Sequence, residues 1–355
     1  MAPVILALRN TDWAQVQVLA TAQHRKLLDD TRERFDITPD IDLNIMQANQ
    51  SLGDLASHLL HSIDKVLDME KPAAVLAQGD TNTVLASAMA CFYKKTPFGH
   101  VEAGLRSGNM HSPFPEEMNR VLTSRLATLN FAPTKRAIDN LISEGINEES
   151  VFLTGNTVID SLYSIPNEQL HIPINLNIPE KKRLILLTAH RRENFGSPLE
   201  NIFHAVRDLA EKHSDIHFIY PVHPNPNVVG QAERILKDAP GVTLSGPLDY
   251  FQLIAIMKQC WLVMTDSGGL QEEAPALGKP VLVLRDNTER PEAVEAGVAR
   301  LVGTSYEGIT TAVSCLLTNN ATYLKMARGL SPYGDGKAAS RITAVLQDFI
   351  LSKES

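Results

Sequence analysis

The chain has 355 residues, 44 % of them hydrophobic, and a formal net charge of −8. That length supports two domains with their own cores, and no apolar run approaches the ~20 residues of a membrane-spanning helix. The acidic balance argues against a general nucleic-acid surface, so an anionic ligand must be held by local positives.

The candidates for those positives are Arg191 with Arg192, and Arg285 with Arg290. Cys91, Cys260 and Cys315 are odd in number and widely spaced. They make neither a disulfide framework nor a CxxC metal site, and a reducing cytoplasm suits them. The opening Met1-Ala2-Pro3-Val4-Ile5-Leu6 lacks the basic region and small-residue cleavage site of a signal peptide.

In chain order, residues 3–10 read as a helix with Pro3 in its first turn. Strands fit 15–19, 73–77, 97–101, 129–132 and 151–154, with helices over 52–69, 83–93, 115–126 and 134–144. The stretch 165–182 carries Pro166, Pro173, Pro179, Asn167, Asn175 and Asn177 and reads as a linker. Beyond it, strands fit 184–188, 217–221, 242–245, 262–265, 281–284 and 300–302. Short β-rich runs alternating with amphipathic helices indicate an α/β chain with parallel sheets. Two doubly wound, Rossmann-like domains joined by that linker would bind ligands in the cleft, beyond the strands' carboxyl ends.

Polar clusters follow the strands. In the first half they are Gln78-Gly79-Asp80-Thr81-Asn82, His100-Val101-Glu102 and Pro113-Phe114-Pro115-Glu116-Glu117. In the second half they are His190-Arg191-Arg192-Glu193-Asn194, His223-Pro224-Asn225 and Arg285-Asp286-Asn287-Thr288-Glu289-Arg290. Each has a plain explanation alone. Asp80 suits an Asx turn or a helix cap, and Glu116 or Glu117 suits a helix N-terminus. His223 suits a satisfied histidine at a strand end, and Arg191 a surface charge. Repeated along one strand edge, they suit a site.

The most informative segment is Thr265-Asp266-Ser267-Gly268-Gly269-Leu270-Gln271-Glu272-Glu273, which follows the apolar run Trp261-Leu262-Val263-Met264. Strand, tight turn and helix start come in sequence, so Ser267, Gly268 and Gly269 would aim N–H groups at an anion. Glu273 could then reach a ribose hydroxyl. The segment is neither a Walker loop nor a GxGxxG turn, and Ser267 does not stand in a GxSxG elbow. His100, His190, His223, Asp80 and Asp266 are available to a metal, but no HExxH or paired Cys/His spacing supports one.

At this point the chain closely resembles the non-hydrolysing UDP-N-acetylglucosamine 2-epimerases, a family with the two-domain glycosyltransferase-B architecture. The resemblance rests on Thr21-Ala22-Gln23-His24-Arg25, Gly79-Asp80-Thr81, His100 to Arg106, Pro113 to Glu117 and Thr154-Gly155-Asn156-Thr157-Val158. It continues through His190 to Asn194, Tyr220 to Asn225, Thr265 to Glu273, Arg285 to Glu292 and Pro332-Tyr333-Gly334-Asp335-Gly336. Together these cover nearly the whole chain.

The resemblance implies an N-terminal domain over 1–165, a UDP-binding domain over 166–336, and a last helix over about 337–355 packing back on the first. It implies reversible inversion at C2 between UDP-GlcNAc and UDP-ManNAc, by elimination of UDP to 2-acetamidoglucal and re-addition. Asp80, Glu102, Glu116 and His190 match the family's essential polar groups. Ser267, Gly268, Gly269 and Arg290 match its phosphate binders, and Glu273 its ribose contact. Gln23, Arg191 and His223 match positions tied in bacterial members to a second, activating UDP-GlcNAc. No cofactor or metal is implied; a cytoplasmic homodimer serving polysaccharide biosynthesis is.

Family members open with a strand and a Gly-Thr-Arg-Pro-Glu-Ala-Ile-Lys loop running into Met-Ala-Pro, where this sequence begins. A working enzyme is the first expectation, since the set of acids and bases is intact. The alternatives are a sugar-nucleotide binder with impaired catalysis and a glycosyltransferase of the same fold.

Overall fold

The structure is a computed structural model that describes residues 1–21, 35–45, 50–173, 176, 178–179 and 181–354. The chain divides into two compact units, one of Met1–Tyr163 with Tyr333–Ser355 and one of Ser164–Pro332. Both are α/β with parallel strands, the outcome that alternating short strands and helices requires.

In the first unit β1 (Leu19–Ala20) pairs with β2 (Ile41–Asp42), and a separate four-stranded sheet runs β3 (Val75–Gln78), β4 (Phe98–Val101), β5 (Leu129–Ala132) and β6 (Val151–Leu153) in spatial order. Residues 15–19 had the composition of a strand, yet only Leu19 and its successor Ala20 pair. β2 was not foreseen, because a two-residue ladder leaves no apolar period to read. Helix Leu52–Glu70 shows the opposite case. Leu55, Leu59, Ile63, Val66 and Leu67 recur at helical spacing and are buried, Ser51 caps the start by accepting from Asp54 N–H, and Lys71 ends it in a left-handed conformation.

Helix Ala2–Arg9 buries Val4 and Leu8 in a cluster with Ile342 and Leu346 of helix Ala338–Glu354. The start of that last helix is capped from elsewhere in the chain. The Asp160 carboxylate accepts from Ala338 N–H at 3.1 Å and Ala339 N–H at 2.8 Å. Burial raises the Asp160 pKa against the pull of those two bonds.

The second unit holds one six-stranded sheet: β7 (Arg183–Thr188), β8 (Ile216–Pro221), β9 (Val242–Ser245), β10 (Leu262–Thr265), β11 (Val281–Val283) and β12 (Ala299–Leu301). Their spatial order is β12-β11-β10-β7-β8-β9, all parallel. The chain builds outward from β7 to β9, returns to the far side of β7, and builds outward again. The order therefore reverses between β7 and β10, the crevice where doubly wound sheets bind ligands. Leu184, Ile185, Leu186 and Leu187 are all fully or nearly fully buried, as a parallel strand covered on both faces demands. Among the described residues, no helix is long and apolar enough to cross a membrane.

The loop after β4 is pressed against helix Lys135–Ser143. Gly104 has φ +89°, and a Cβ there would stand 2.2 Å from the Ala137 carbonyl oxygen. Gly108 also has positive φ (+77°), but a Cβ there meets nothing within 4 Å. Gly104→Ala should therefore lower stability well beyond the ~1 kcal/mol of backbone strain alone. Gly108→Ala should show only that smaller loss, and urea titration of the two variants separates the effects.

Candidate active site

In the first unit Asp80 and Glu102 stand just past strand ends, Glu116 opens a helix, and buried neighbours surround them. Asp80 follows β3 and the turn residue Gly79, which has φ +86°. Three residues of helix Glu116–Leu126 build its surroundings. Asn119 Nδ2 donates to the Asp80 carbonyl at 2.9 Å and to Asn82 Oδ1 at 2.9 Å. Arg120, largely buried, donates to the Asp80 carboxylate. Glu117 lies 3.2 Å from Arg120 Nη1 through Oε2, while its Oε1 accepts from Ser107 and Gly108 N–H at 2.8 and 3.0 Å. Helix dipole complementarity is thus the smaller part of Glu117: it joins a loop to an arginine. Glu116, half-buried, opens the helix one residue earlier.

His100 is fully buried in β4, and its Nε2 lies 2.8 Å from the Gly79 carbonyl. A carbonyl can only accept, so Nε2 carries the proton. Burial lowers the pKa to about 4, which makes His100 a neutral brace of the Gly79-Asp80 turn. Glu102, just past β4, has φ +68°, a conformation costing a non-glycine residue on the order of 1–3 kcal/mol and concentrated at functional sites. Its carboxylate accepts from Gln78 Nε2 and Asn156 Nδ2, each at 3.3 Å.

In the second unit the reversal of strand order sets the loop after β7 beside the loop after β10. Their last residues, Thr188 and Thr265, are paired in register, with hydroxyls 2.5 Å apart. His190 lies in the first loop and Asp266 in the second; His190 N–H donates to Asp266 Oδ2 at 2.8 Å. The His190 ring stacks on His223, with centroids 5.2 Å apart and planes 10° from parallel. Burial lowers the His223 pKa, the His190 charge adds to that, and Asp266 opposes it.

Helix Gly268–Ala276 begins three residues past β10. Its first-turn N–H groups have no intrahelical acceptor, and the dipole makes that end attractive to anions. Ser267 N–H itself is committed, donating to Thr265 Oγ1 at 2.9 Å. The cradle therefore consists of the Gly268 and Gly269 N–H groups with the Ser267 hydroxyl. Arg290 closes it from the side: a Cβ on Gly268 would stand 2.5 Å from Arg290 Nη1. Only glycine admits the guanidinium so close.

Arg290 belongs to a group of arginines gathered round one carboxylate. Glu289 lies 2.7 Å from Arg290, 2.8 Å from Arg285 and 3.4 Å from Arg191. Burial pushes the Glu289 pKa up, but Arg290, then Arg285 and Arg191, outweigh it and hold it at about 2. Arg290 also pairs with buried Glu272 at 2.5 Å. Glu273 accepts from Tyr250 Oη at 2.6 Å, and burial raises its pKa to about 7. The Asp249–Gln252 capping box places Tyr250 at the start of its helix.

The sequence-derived set thus falls into two groups. Asp80, Glu102 and Glu116 stand in the first unit; His190, Arg191, His223, Ser267, Gly268, Gly269, Glu273 and Arg290 stand in the second. Arg191 and His223, assigned to a second ligand, adjoin Arg290's carboxylate partner and the His190 ring. Gln23 lies outside the described residues. The supporting residues Asn119, Arg120 and Glu289 were not picked out as site residues, and Asp266 was named only as available to a metal; their partners reveal their roles. Among the described residues, no group of three or more His, Cys, Asp or Glu could hold a metal ion.

A family profile described as UDP-N-acetylglucosamine 2-epimerase matches residues 6–347. A UDP-N-acetylglucosamine 2-epimerase of Escherichia coli (strain K12) is 47 % identical over 356 residues, covering 98 % of this chain and 95 % of that protein. The crystal structure of UDP-GlcNAc 2-epimerase from Neisseria meningitidis bound to UDP-GlcNAc superposes with a TM-score of 0.93 at 44 % identity, covering 98 % of this chain and 96 % of that one. The Methanocaldococcus jannaschii enzyme in complex with UDP-GlcNAc and UDP superposes at 0.81 with 34 % identity, over 98 % and 95 % of the two chains.

The raised pKa of Glu273 has a sign that unfolding can read. An unfolded glutamate titrates near 4.5 and the folded one near 7, so the buried neutral form stabilises the fold below pH 4.5. That contribution falls as pH rises and is gone above about 7. Glu273→Gln should remove this slope, changing the wild-type-minus-variant difference by about 3 kcal/mol between pH 4.5 and 7.5. Urea unfolding at the two pH values checks it; parallel curves would contradict the assignment.

Proposed function

The chain belongs to the UDP-N-acetylglucosamine 2-epimerase family, and from that premise we propose that it interconverts UDP-GlcNAc and UDP-ManNAc by inversion at C2. The observation that carries the reading is the Arg290 guanidinium held against Gly268 at a helix N-terminus. A guanidinium beside free N–H groups suits a diphosphate, and Glu273 stands one helical turn along for the ribose.

C2 is not adjacent to a carbonyl, so removing its proton alone would leave an unstabilised carbanion. Elimination avoids this. A base takes the C2 proton, the C1–O bond breaks with its electron pair leaving on the UDP β-phosphate, and C1=C2 forms as 2-acetamidoglucal. UDP oxygen then re-attacks C1 while a proton reaches C2 from the opposite face. The leaving charge develops at the β-phosphate, where fixed N–H groups and Arg290 act most strongly. We assign the acid and base work to Asp80, Glu102, Glu116 and His190. Arg120 keeps Asp80 oriented for that work. We assign Arg191 and His223, with Gln23, to a second UDP-GlcNAc, and the protein to the cytoplasm as a homodimer.

Incubation with UDP-GlcNAc in deuterated water tests the reading. Deuterium at C2 together with UDP-ManNAc is the expected result by NMR. UDP-ManNAc that retains protium at C2, or sugar transfer to an acceptor without exchange at C2, would sink it. Asp80→Asn should cut C2 exchange by about 10²-fold or more while calorimetry still detects UDP binding. Exchange within tenfold of wild type would remove Asp80 from its role.

A further inference from the structure

Asp266 has a task that the UDP cradle does not explain. It is wholly buried at the carboxyl end of β10. Its Oδ2 accepts three hydrogen bonds, from His190 N–H at 2.8 Å, Arg191 N–H at 2.9 Å and Asn194 Nδ2 at 3.0 Å. Those donors fix the carboxylate plane. Its Oδ1 is buried and accepts no hydrogen bond among the described residues. A buried carboxylate oxygen without a donor costs free energy unless a proton is brought to it. A candidate donor is His190 Nδ1, 3.5 Å away. A ring shift of about half an ångström would make a normal hydrogen bond, and such bonds in enzymes tighten when substrate binds.

We infer that Asp266 is a positioning residue for His190, holding the imidazole with its proton on Nδ1 and its lone pair on Nε2. A carboxylate can only accept, so Nδ1 must donate. Nε2 is then the nitrogen left to exchange protons. The stacked His223 ring limits rotation of the imidazole plane, and the backbone bond from His190 N–H to the same carboxylate fixes the distance. One buried acid thus sets the position, orientation and tautomer of one histidine. It does so from the residue directly before the phosphate cradle, so the two functions share a rigid turn.

The inference rests on reading His190 as an acid/base group, and its first readout, the ring tautomer, is independent of turnover. In wild-type protein with ¹⁵N-labelled histidine, the His190 signals are identified by their loss in His190→Gln. The neutral ring should show the Nδ1–H tautomer; an Nε2–H tautomer overturns the inference. In Asp266→Asn, the side-chain carbonyl must take the three donors of Oδ2, which turns the amide N–H₂ toward Nδ1. His190 should then switch to Nε2–H, and kcat should fall by about 10³-fold or more with KM changed less than about threefold, as a mis-set tautomer does in a catalytic triad. An unchanged tautomer, or kcat within tenfold of wild type, overturns the inference. If the variant does not fold, the wild-type tautomer decides. Full turnover in His190→Gln would instead remove the acid/base role of His190, leaving the Asp266 geometry as measured.

Discussion

The adjacency of β7 and β10 is the constraint from which the second unit's chemistry follows. A doubly wound parallel sheet must reverse its building direction once, and at that point two loops leave neighbouring strands side by side. Here the loops carry His190 and Asp266, and the strand ends are locked by the paired hydroxyls of Thr188 and Thr265. No other pair of strands in this sheet could bring the Ser267-Gly268-Gly269 turn and the histidine loop together. The core supports the arrangement: Ile185 and Leu187 on one face of β7 join a buried cluster with Phe203, Phe218 and Leu282, and Leu184 and Leu186 on the other face are buried as well.

The same device recurs in both units: a buried acid organises groups of opposite charge or hydrogen-bond donors. Glu289 collects Arg191, Arg285 and Arg290; Asp266 collects two backbone N–H groups and an amide through one oxygen, with the His190 ring 3.5 Å from the other. In the first unit Glu117 joins the 107–108 turn to Arg120, which in turn holds Asp80. Such networks are costly when one member is missing and rigid when complete. Rigidity is what proton transfer and phosphate release require, since both depend on groups already placed when charge moves. In a chain with a net charge of −8, Arg191, Arg285 and Arg290 are concentrated and fixed around Glu289.

Much of the fold was legible in the chain. The central strands could be placed within a residue or two because apolar runs such as Leu184 to Leu187 have no other stable home than a covered parallel sheet. The helix expected over 52–69 forms as Leu52–Glu70, because its amphipathic pattern could be read from the chain; its Ser51 cap is shown by the structure. The β1–β2 pair could not be read, being too short to carry a period. Residues 15–19 misled because β-rich composition does not supply a pairing partner. The strand-end location of the polar clusters was also readable, since loops there follow directly from the alternation of elements.

Sequence by itself determined the α/β class, the parallel sheets, the family and the residue types available for acid, base and anion-binding work. Those depend on local period, turn chemistry and motif, all properties of contiguous residues. Only the tertiary structure decided which of those residues are held and by what. Asp266 and His190 are separated by 76 positions, and Arg120 and Asp80 by 40. No spacing rule joins them. Their pairing is set by strand order and by the burial that makes an unpartnered carboxylate too costly to leave alone. Glu273 shows the same division: its place in a helix could be read from the chain, while its shift to about 7 comes from burial in a folded interior.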